Sequence, residues 1–367
     1  MMRSVLVVLG AMALSLASAS PAPRADGHSF MGTNLYFLPG LSDSDQDSYI
    51  SRMASAGAKV IRVWVNRQNP GCEKGSELAY VPAFEDKAIG QYESATLDAL
   101  DKVIDKIAKA GMKVVISPHD SNSLIGDGRK DVYYDAYGYG FFYEKQEAFD
   151  AYDARLSAIL NYKGATSGKV WKEWSDAILS FNLQNEPMTP DPSACKNGDA
   201  HNWLCGRAGH LRQELGADNP ILVSTGGVGG DISNDCTFIS AVTDCDAVDL
   251  ISIHRYAGYP GNWAGSAPGY VEQANGKLVY IEEWGVNTTN VNPAEGFPHE
   301  AADMNSVGLP ALYWQFLPDA VSDCPYNPST DSDPFGIFVG GGTDIDTSLK
   351  NAASSPALQQ GWDSVIP

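Results

Sequence analysis

Two runs of β-forming residues each deliver a glutamate where the run gives out. They are Ala177-Ile-Leu-Ser-Phe-Asn-Leu-Gln-Asn-Glu186-Pro187 and Leu278-Val-Tyr-Ile-Glu-Glu283-Trp-Gly285. Two carboxyl groups that face each other across one cleft can divide the roles of acid and nucleophile, which is what breaking a glycosidic bond requires. Glu282 offers a third carboxylate. Strict alternation along a strand sends neighbours to opposite sides, so only one of Glu282 and Glu283 is expected to face the cleft.

Other chemically capable residues sit at or near the ends of similar runs: Arg62, His119, Asn185, His254, Tyr256 and Trp314. One histidine at a strand end more often serves a satisfied structural role. A set of polar and aromatic groups converging on one face is harder to explain by packing, because buried polar groups are costly unless matched.

These residues need a scaffold that brings strand ends together. Short apolar runs recur at 30–36, 59–65, 113–118, 177–183, 221–224, 248–254, 278–283 and 311–316. Helical stretches separate them. In 95–110, Leu97, Leu100, Val103, Ile104 and Ile107 follow the three-and-four spacing of a buried helix face, and Gly111 supplies the stop. Eight such alternations, with runs too uniformly apolar for a one-sided sheet, predict a parallel (β/α)8 TIM barrel forming one α/β domain. A doubly wound sheet is the alternative, but no G-x-G-x-x-G turn follows the first strand. Gly226-Gly-Val-Gly-Gly230 lacks a phosphate-binding lysine and reads as a connection. Long loops at 66–93, 120–143 and 188–200 fall on the C-terminal face of the strands and read as cleft walls. The run Tyr133–Tyr143 is rich in aromatics and glycine, and suits either a sugar platform or a loop packed on itself.

Composition narrows the function classes. The chain has 367 residues and a net charge of −20, which disfavours nucleic acid and anionic membranes as partners and makes a neutral polymer the better substrate. Asp43-Ser-Asp45-Gln-Asp47 and Asp331-Ser-Asp333 lack calcium-loop spacing and read as solvated turns or a helix N-terminus. Residues 1–20 have the basic start, apolar core and small-residue end of a secretory leader. Residues 21–27 form a lead-in and 28–367 the catalytic domain, so the protein is expected to act outside the cell, as a monomer. Six cysteines then read as three disulfides, and proximity favours Cys195–Cys205, Cys236–Cys245 and Cys72–Cys324. Asn287-Thr-Thr289 is a glycosylation acceptor.

The ordered set Arg62, His119, Asn185-Glu186-Pro187, His254-Arg-Tyr256, Glu283-Trp-Gly285 and Trp314 resembles glycoside hydrolase family 5 over roughly residues 30–362. The resemblance implies a retaining enzyme that needs neither metal nor cofactor and acts on a polysaccharide or oligosaccharide. It gives Glu186 the acid/base role and Glu283 the nucleophile role. It places Arg62 and Tyr256 against Glu283, Asn185 at the sugar 2-hydroxyl, and Trp314 beneath the sugar. His119 and His254 are expected to bind hydroxyls or orient the carboxyls. Ala311-Leu-Tyr-Trp-Gln-Phe316 and Gly32-Thr-Asn34-Leu-Tyr36 look most like fungal endo-β-1,4-mannanases, whereas His119 is a feature of the family's endoglucanases. An endo-mannanase is therefore expected, with an endo-β-glucanase or an exo-β-glycosidase as alternatives. A non-catalytic carbohydrate-binding barrel is the reading of another class.

Overall fold

The computed structural model describes residues 27–125, 129–188, 198–227, 237–331 and 333–366. The leader and most of the lead-in lie outside the described residues. Eight parallel strands close a barrel: β1 (Met31–Asn34), β2 (Val60–Trp64), β3 (Lys113–Ser117), β4 (Ile178–Asn182), β5 (Leu222–Ser224), β6 (Leu250–His254), β7 (Leu278–Trp284) and β8 (Ala311–Tyr313). They run round the barrel in sequence order, and β8 pairs with β1 to shut it.

Helices between the strands bury one face each against this barrel. The helix expected at 95–110 spans Ser94–Lys109 and buries Leu97, Leu100, Val103, Ile104 and Ile107. Its end is fixed by a left-handed Gly111, with Gly111 N–H donating to Ala108 O and Met112 N–H to Ile107 O. That double bond pattern is the one glycine serves best after a helix. The acidic run at 43–47 opens the helix Asp43–Ala56, where Ser42 caps and Asp43 and Asp45 meet the positive end.

Inside the barrel, alternation selects the residues that meet at the axis. Phe30, Val60, Val115, Leu250, Tyr280 and Leu312 pack into an apolar plug, with Trp362 fitted against it from the C-terminal segment. Gly32 lets β1 approach β2: a Cβ there would lie 1.9 Å from the Val60 carbonyl oxygen. One step further along the strands the same faces carry Arg62, Ser117, Ser224, His254 and Glu282, all buried. The apolar plug thus supports a polar layer, and the cleft opens above it.

Three expectations need correction. The last strand ends at Tyr313, because Phe316–Leu317 pairs instead with Ile337–Phe338 outside the barrel. Cys72–Cys324 is bonded as expected, but Cys205 bonds Cys245, so neither the Cys195–Cys205 nor the Cys236–Cys245 pairing forms. Sequence proximity failed there because the helix from Trp203 and the segment after Ser240–Thr243 pack side by side. Cys195 and Cys236 themselves lie outside the described residues. The strict alternation expected at Glu282 and Glu283 is also broken. Ile253 pairs with Ile281, but His254 pairs with Glu283, so β7 carries one extra residue. This bulge keeps Glu282 on the interior face with Leu278 and Tyr280, while Glu283 lines the cleft, so of the two it is Glu283 that faces the cleft.

Candidate active site

Arg62 stands at the centre of the polar layer. It lies within β2 rather than beyond it, and it is wholly buried. All five of its N–H donors are used. Nε donates to Asn182 Oδ1 (3.0 Å), Nη1 to Asn34 Oδ1 (3.1 Å) and Glu283 Oε1 (2.5 Å), and Nη2 to Ser117 Oγ (2.8 Å) and Asn185 Oδ1 (2.7 Å). A guanidinium with every donor engaged is a rigid template, and here it fixes Glu283 and Asn185 relative to each other. The Tyr256 hydroxyl donates to the other Glu283 oxygen at 2.8 Å.

Glu186 follows β4 on a left-handed backbone (φ 47°), an uncommon conformation for a residue preceding proline. Its N–H donates to Gly226 O (2.8 Å) and its carbonyl accepts from Ser121 Oγ (2.6 Å), so loops from both neighbouring strands hold the turn. His254 Nδ1 lies 3.0 Å from Glu186 Oε1 and 3.5 Å from Glu283 Oε2. An oxygen from each of these carboxyls and a His254 ring nitrogen all lie within 4.8 Å of one another. Asn185 donates to Asp120 Oδ1 at 2.8 Å and has a second amide proton to offer.

Three carboxylates face two cations in this layer, and their proton affinities follow. Burial alone disfavours the charged Glu282, yet Arg62, His254 and the Tyr280 hydroxyl hold it down at about 2. Burial disfavours the His254 cation too, but Glu283, Glu186 and Glu282 raise it to about 9. Burial raises Glu283, and Glu186 adds to that rise against the pull of His254, Arg62 and Tyr256. Glu186 is pulled below its usual range: burial, the largest single effect, raises it, but the hydrogen bond and charge of His254, the charge of Arg62 and a hydrogen bond from Asn122 together outweigh it.

The cleft above these groups has a volume of about 610 Å³. Tyr36, Trp64 and Trp314 line one end of it, with Tyr36 and Trp314 nearly parallel at 5.7 Å between centroids. Trp314 Nε1 donates to Asp333 Oδ2 at 3.0 Å. Lys74 pairs with the same carboxylate and reaches over the Tyr36 and Trp314 rings at 4.9 and 5.6 Å. Lys74 stands on a hairpin, Gly71–Glu73 and Ser76–Leu78, which the Cys72–Cys324 disulfide ties to the segment after β8.

Of the eight site residues expected from sequence, Arg62, Asn185, Glu186, His254, Tyr256 and Glu283 come together in one hydrogen-bonded network, and Trp314 borders the same cleft. His119 does not join them. Its ring is buried against Phe142, Tyr133 and Tyr152, with Nε2 2.6 Å from Asp131 and Nδ1 2.7 Å from Gln184. Neither carboxyl of the pair is within its hydrogen-bonding set. The aromatic run 133–143 supplies that packing through Tyr133 and Phe142, which with Tyr143 are buried, whereas Phe141 of the same run is exposed. Sequence reasoning missed Asn182, Asp120, Lys74 and Asp333. For Asn182 the signal was present, since an amide inside an otherwise apolar strand demands a buried partner.

A family model for cellulase, glycosyl hydrolase family 5, matches residues 24–319. The chain belongs to glycosyl hydrolase family 5. As a family 5 member it is an O-glycosyl hydrolase. It is 27% identical to a mannan endo-1,4-β-mannosidase A of Emericella nidulans over 78% of this chain and 74% of that one. It is 23% identical to a probable mannan endo-1,4-β-mannosidase A of Aspergillus niger, over 79% and 76%. Among solved structures, the endo-1,4-β-mannanase of Rhizomucor miehei superimposes with a TM-score of 0.68 at 22% identity, covering 92% of this chain and 96% of the other. That likeness speaks to the barrel fold of this family 5 chain.

Proposed function

We propose that the protein is a retaining endo-β-1,4-mannanase in which Glu283 is the nucleophile and Glu186 the acid/base. The observation that carries the reading is the carboxyl pair: oxygens within 4.8 Å of each other, with Glu283 gripped by Arg62 and Tyr256 while Glu186 meets His254. That separation suits direct attack rather than an interposed water, since inverting enzymes need their carboxyls ~6.5–9.5 Å apart. The mannan substrate is drawn from the fungal relatives, whose names specify mannan endo-1,4-β-mannosidase.

In the first step Glu283 Oε attacks the anomeric carbon as Glu186 protonates the departing oxygen. The C–O bond to the leaving sugar breaks and a glycosyl ester forms. In the second, Glu186 takes a proton from water, whose oxygen displaces Glu283 and restores both carboxyls. Arg62 and Tyr256 keep Glu283 ionised for attack and receive it as a leaving group. The remaining amide proton of Asn185 serves the 2-hydroxyl, a contact that strengthens in the transition state. Trp314 and Tyr36 form the apolar wall of the sugar site. Every group needed comes from one chain. The disulfides Cys72–Cys324 and Cys205–Cys245 favour work in an oxidising, extracellular setting.

The test is product release from galactomannan, glucomannan and carboxymethylcellulose, with the anomer of the first-formed product read by proton NMR. Oligosaccharides of β configuration from galactomannan are expected. Release from carboxymethylcellulose alone would move the enzyme to glucans, and an α-anomer would overturn the nucleophile assignment.

A further inference from the structure

Glu282 takes no part in the two displacement steps, yet it lies fully buried at the heart of the network. Its Oε1 accepts from Asn182 Nδ2 (2.8 Å) and from the Tyr280 hydroxyl. Its Oε2 lies 2.9 Å from His254 Nε2 and 3.5 Å from Arg62 Nε. His254 therefore spans two glutamates, Glu282 through Nε2 and Glu186 through Nδ1. The ring is also pressed from the side: a Cβ on Gly227 would lie 2.2 Å from its atoms, so only glycine fits the β5 loop there.

We propose that Glu282 is a positioning residue for proton donation, accepting the Nε2–H of His254 so that Nδ1 faces Glu186 and the catalytic proton is held in the His254–Glu186 hydrogen bond. This rests on reading Glu186 as the acid/base. With Nε2–H committed to Glu282, a single proton lies between Nδ1 and Oε1. Imidazolium facing carboxylate, and neutral imidazole facing carboxylic acid, contain the same protons and differ only in where that one sits. The titration accordingly belongs to the pair and not to Glu186 alone. On this account the depressed Glu186 and the His254 raised to about 9 are two views of one retained proton. The pair surrenders it to the departing oxygen as the C–O bond breaks, and regains it from the attacking water.

The charges around the ring leave this role to Glu282. Glu186 comes from β4 and Glu283 from β7, both on the Nδ1 side. Arg62 from β2 meets Glu282 and Glu283, Tyr280 meets Glu282, and Tyr256 meets Glu283. Asp120, from the β3 loop, acts on Glu186 by charge and holds Asn185. His254 Nε2 lies against Glu282, 2.9 Å from its Oε2.

The deciding experiment is the pH dependence of kcat/KM for Glu282→Gln, measured on galactomannan and on 2,4-dinitrophenyl β-mannoside. With the anion gone, the alkaline limb on galactomannan is expected to move down by about one to three pH units. The dinitrophenyl substrate, whose departure needs no proton, should keep its rate of glycosyl-enzyme formation. An unmoved limb in a folded variant, or equal loss on both substrates, overturns the proposal. A second measurement uses the unaltered enzyme with 15N-labelled histidine, the His254 signals being assigned by their absence from His254→Asn. Nε2 is expected to keep its proton through the neutral range, and an unprotonated Nε2 there overturns the proposal even if Glu282→Gln does not fold. Failure of the unaltered enzyme on both substrates would instead remove the mannanase reading, with the nitrogen signals still deciding the tautomer.

Discussion

Glu282 and Glu283 are consecutive on one strand, yet both reach Arg62, at 3.5 and 2.5 Å. The bulge in β7 makes this possible, and it separates two tasks that one carboxylate could not perform together. Glu283 stands in the cleft where a sugar can meet it. Glu282 stays in the barrel, where its charge is fully compensated.

Removing the two cleft carboxyls should have unlike effects. Glu283→Gln is expected to lower turnover on galactomannan by about 10⁴-fold or more. Glu186→Ala should cost about 10²–10⁴-fold on the polymer while sparing the first step with 2,4-dinitrophenyl β-mannoside. Burst kinetics on that substrate check the second claim, and the absence of a burst would contradict it.

The pH dependence of stability follows from the buried pair. His254 is raised from its ordinary 6.5 to about 9, so its contribution is complete below about 6.5 and is lost as pH rises through about 9. Glu282 is depressed from 4.5 to about 2, so its contribution is complete above about 4.5 and is lost as pH falls through about 2. Thermal unfolding is expected at its highest midpoint between about pH 4.5 and 6.5, with the alkaline decline shallower in His254→Asn. A stability maximum above pH 9 would contradict this.

A buried ion pair outside the cleft is a stability site. Arg155 meets Glu85 at 2.7 Å, and it also donates to Pro118 O (2.9 Å) and Val65 O (3.2 Å), the chain just beyond β3 and β2. Arg155→Met strands Glu85 without its cation, and should lower the unfolding free energy by about 3–5 kcal/mol. Chemical denaturation measures this, and a loss under 1 kcal/mol would show that the pair is dispensable.

Lys74 should matter for binding more than for chemistry. It pairs with Asp333, which also accepts from Trp314 Nε1. Lys74→Met is expected to raise KM about tenfold with kcat little changed, because one charged hydrogen bond of the wall is lost. A fall in kcat alone would place Lys74 in the chemistry instead.

The barrel was legible because its evidence is local: each apolar run and each helical stripe can be seen within one short window. The carboxyl pair was legible for the same reason, each glutamate standing where a run of β-formers ends. His119 was not, because a histidine after a strand looks the same whether it faces a sugar or Asp131. The choice depends on the helix Val132–Phe142, whose aromatic residues fold back over the ring. The placement of Glu282, seen in the sequence only as a third carboxylate, was hidden by a one-residue slip between β6 and β7, which no property of β7 read alone reveals. The Cys205–Cys245 link was likewise a matter of which distant segments lie together.

The Cys72–Cys324 link bonds the segment following β2 to the segment following β8, and β1 lies between those two strands. Of its two pairings, β1 makes one with the strand that follows it in sequence and the other with the last strand of the barrel. Here its two neighbours are tied across it at the mouth. The seam between β1 and β8, where the barrel closes, is therefore braced covalently at the mouth of the cleft.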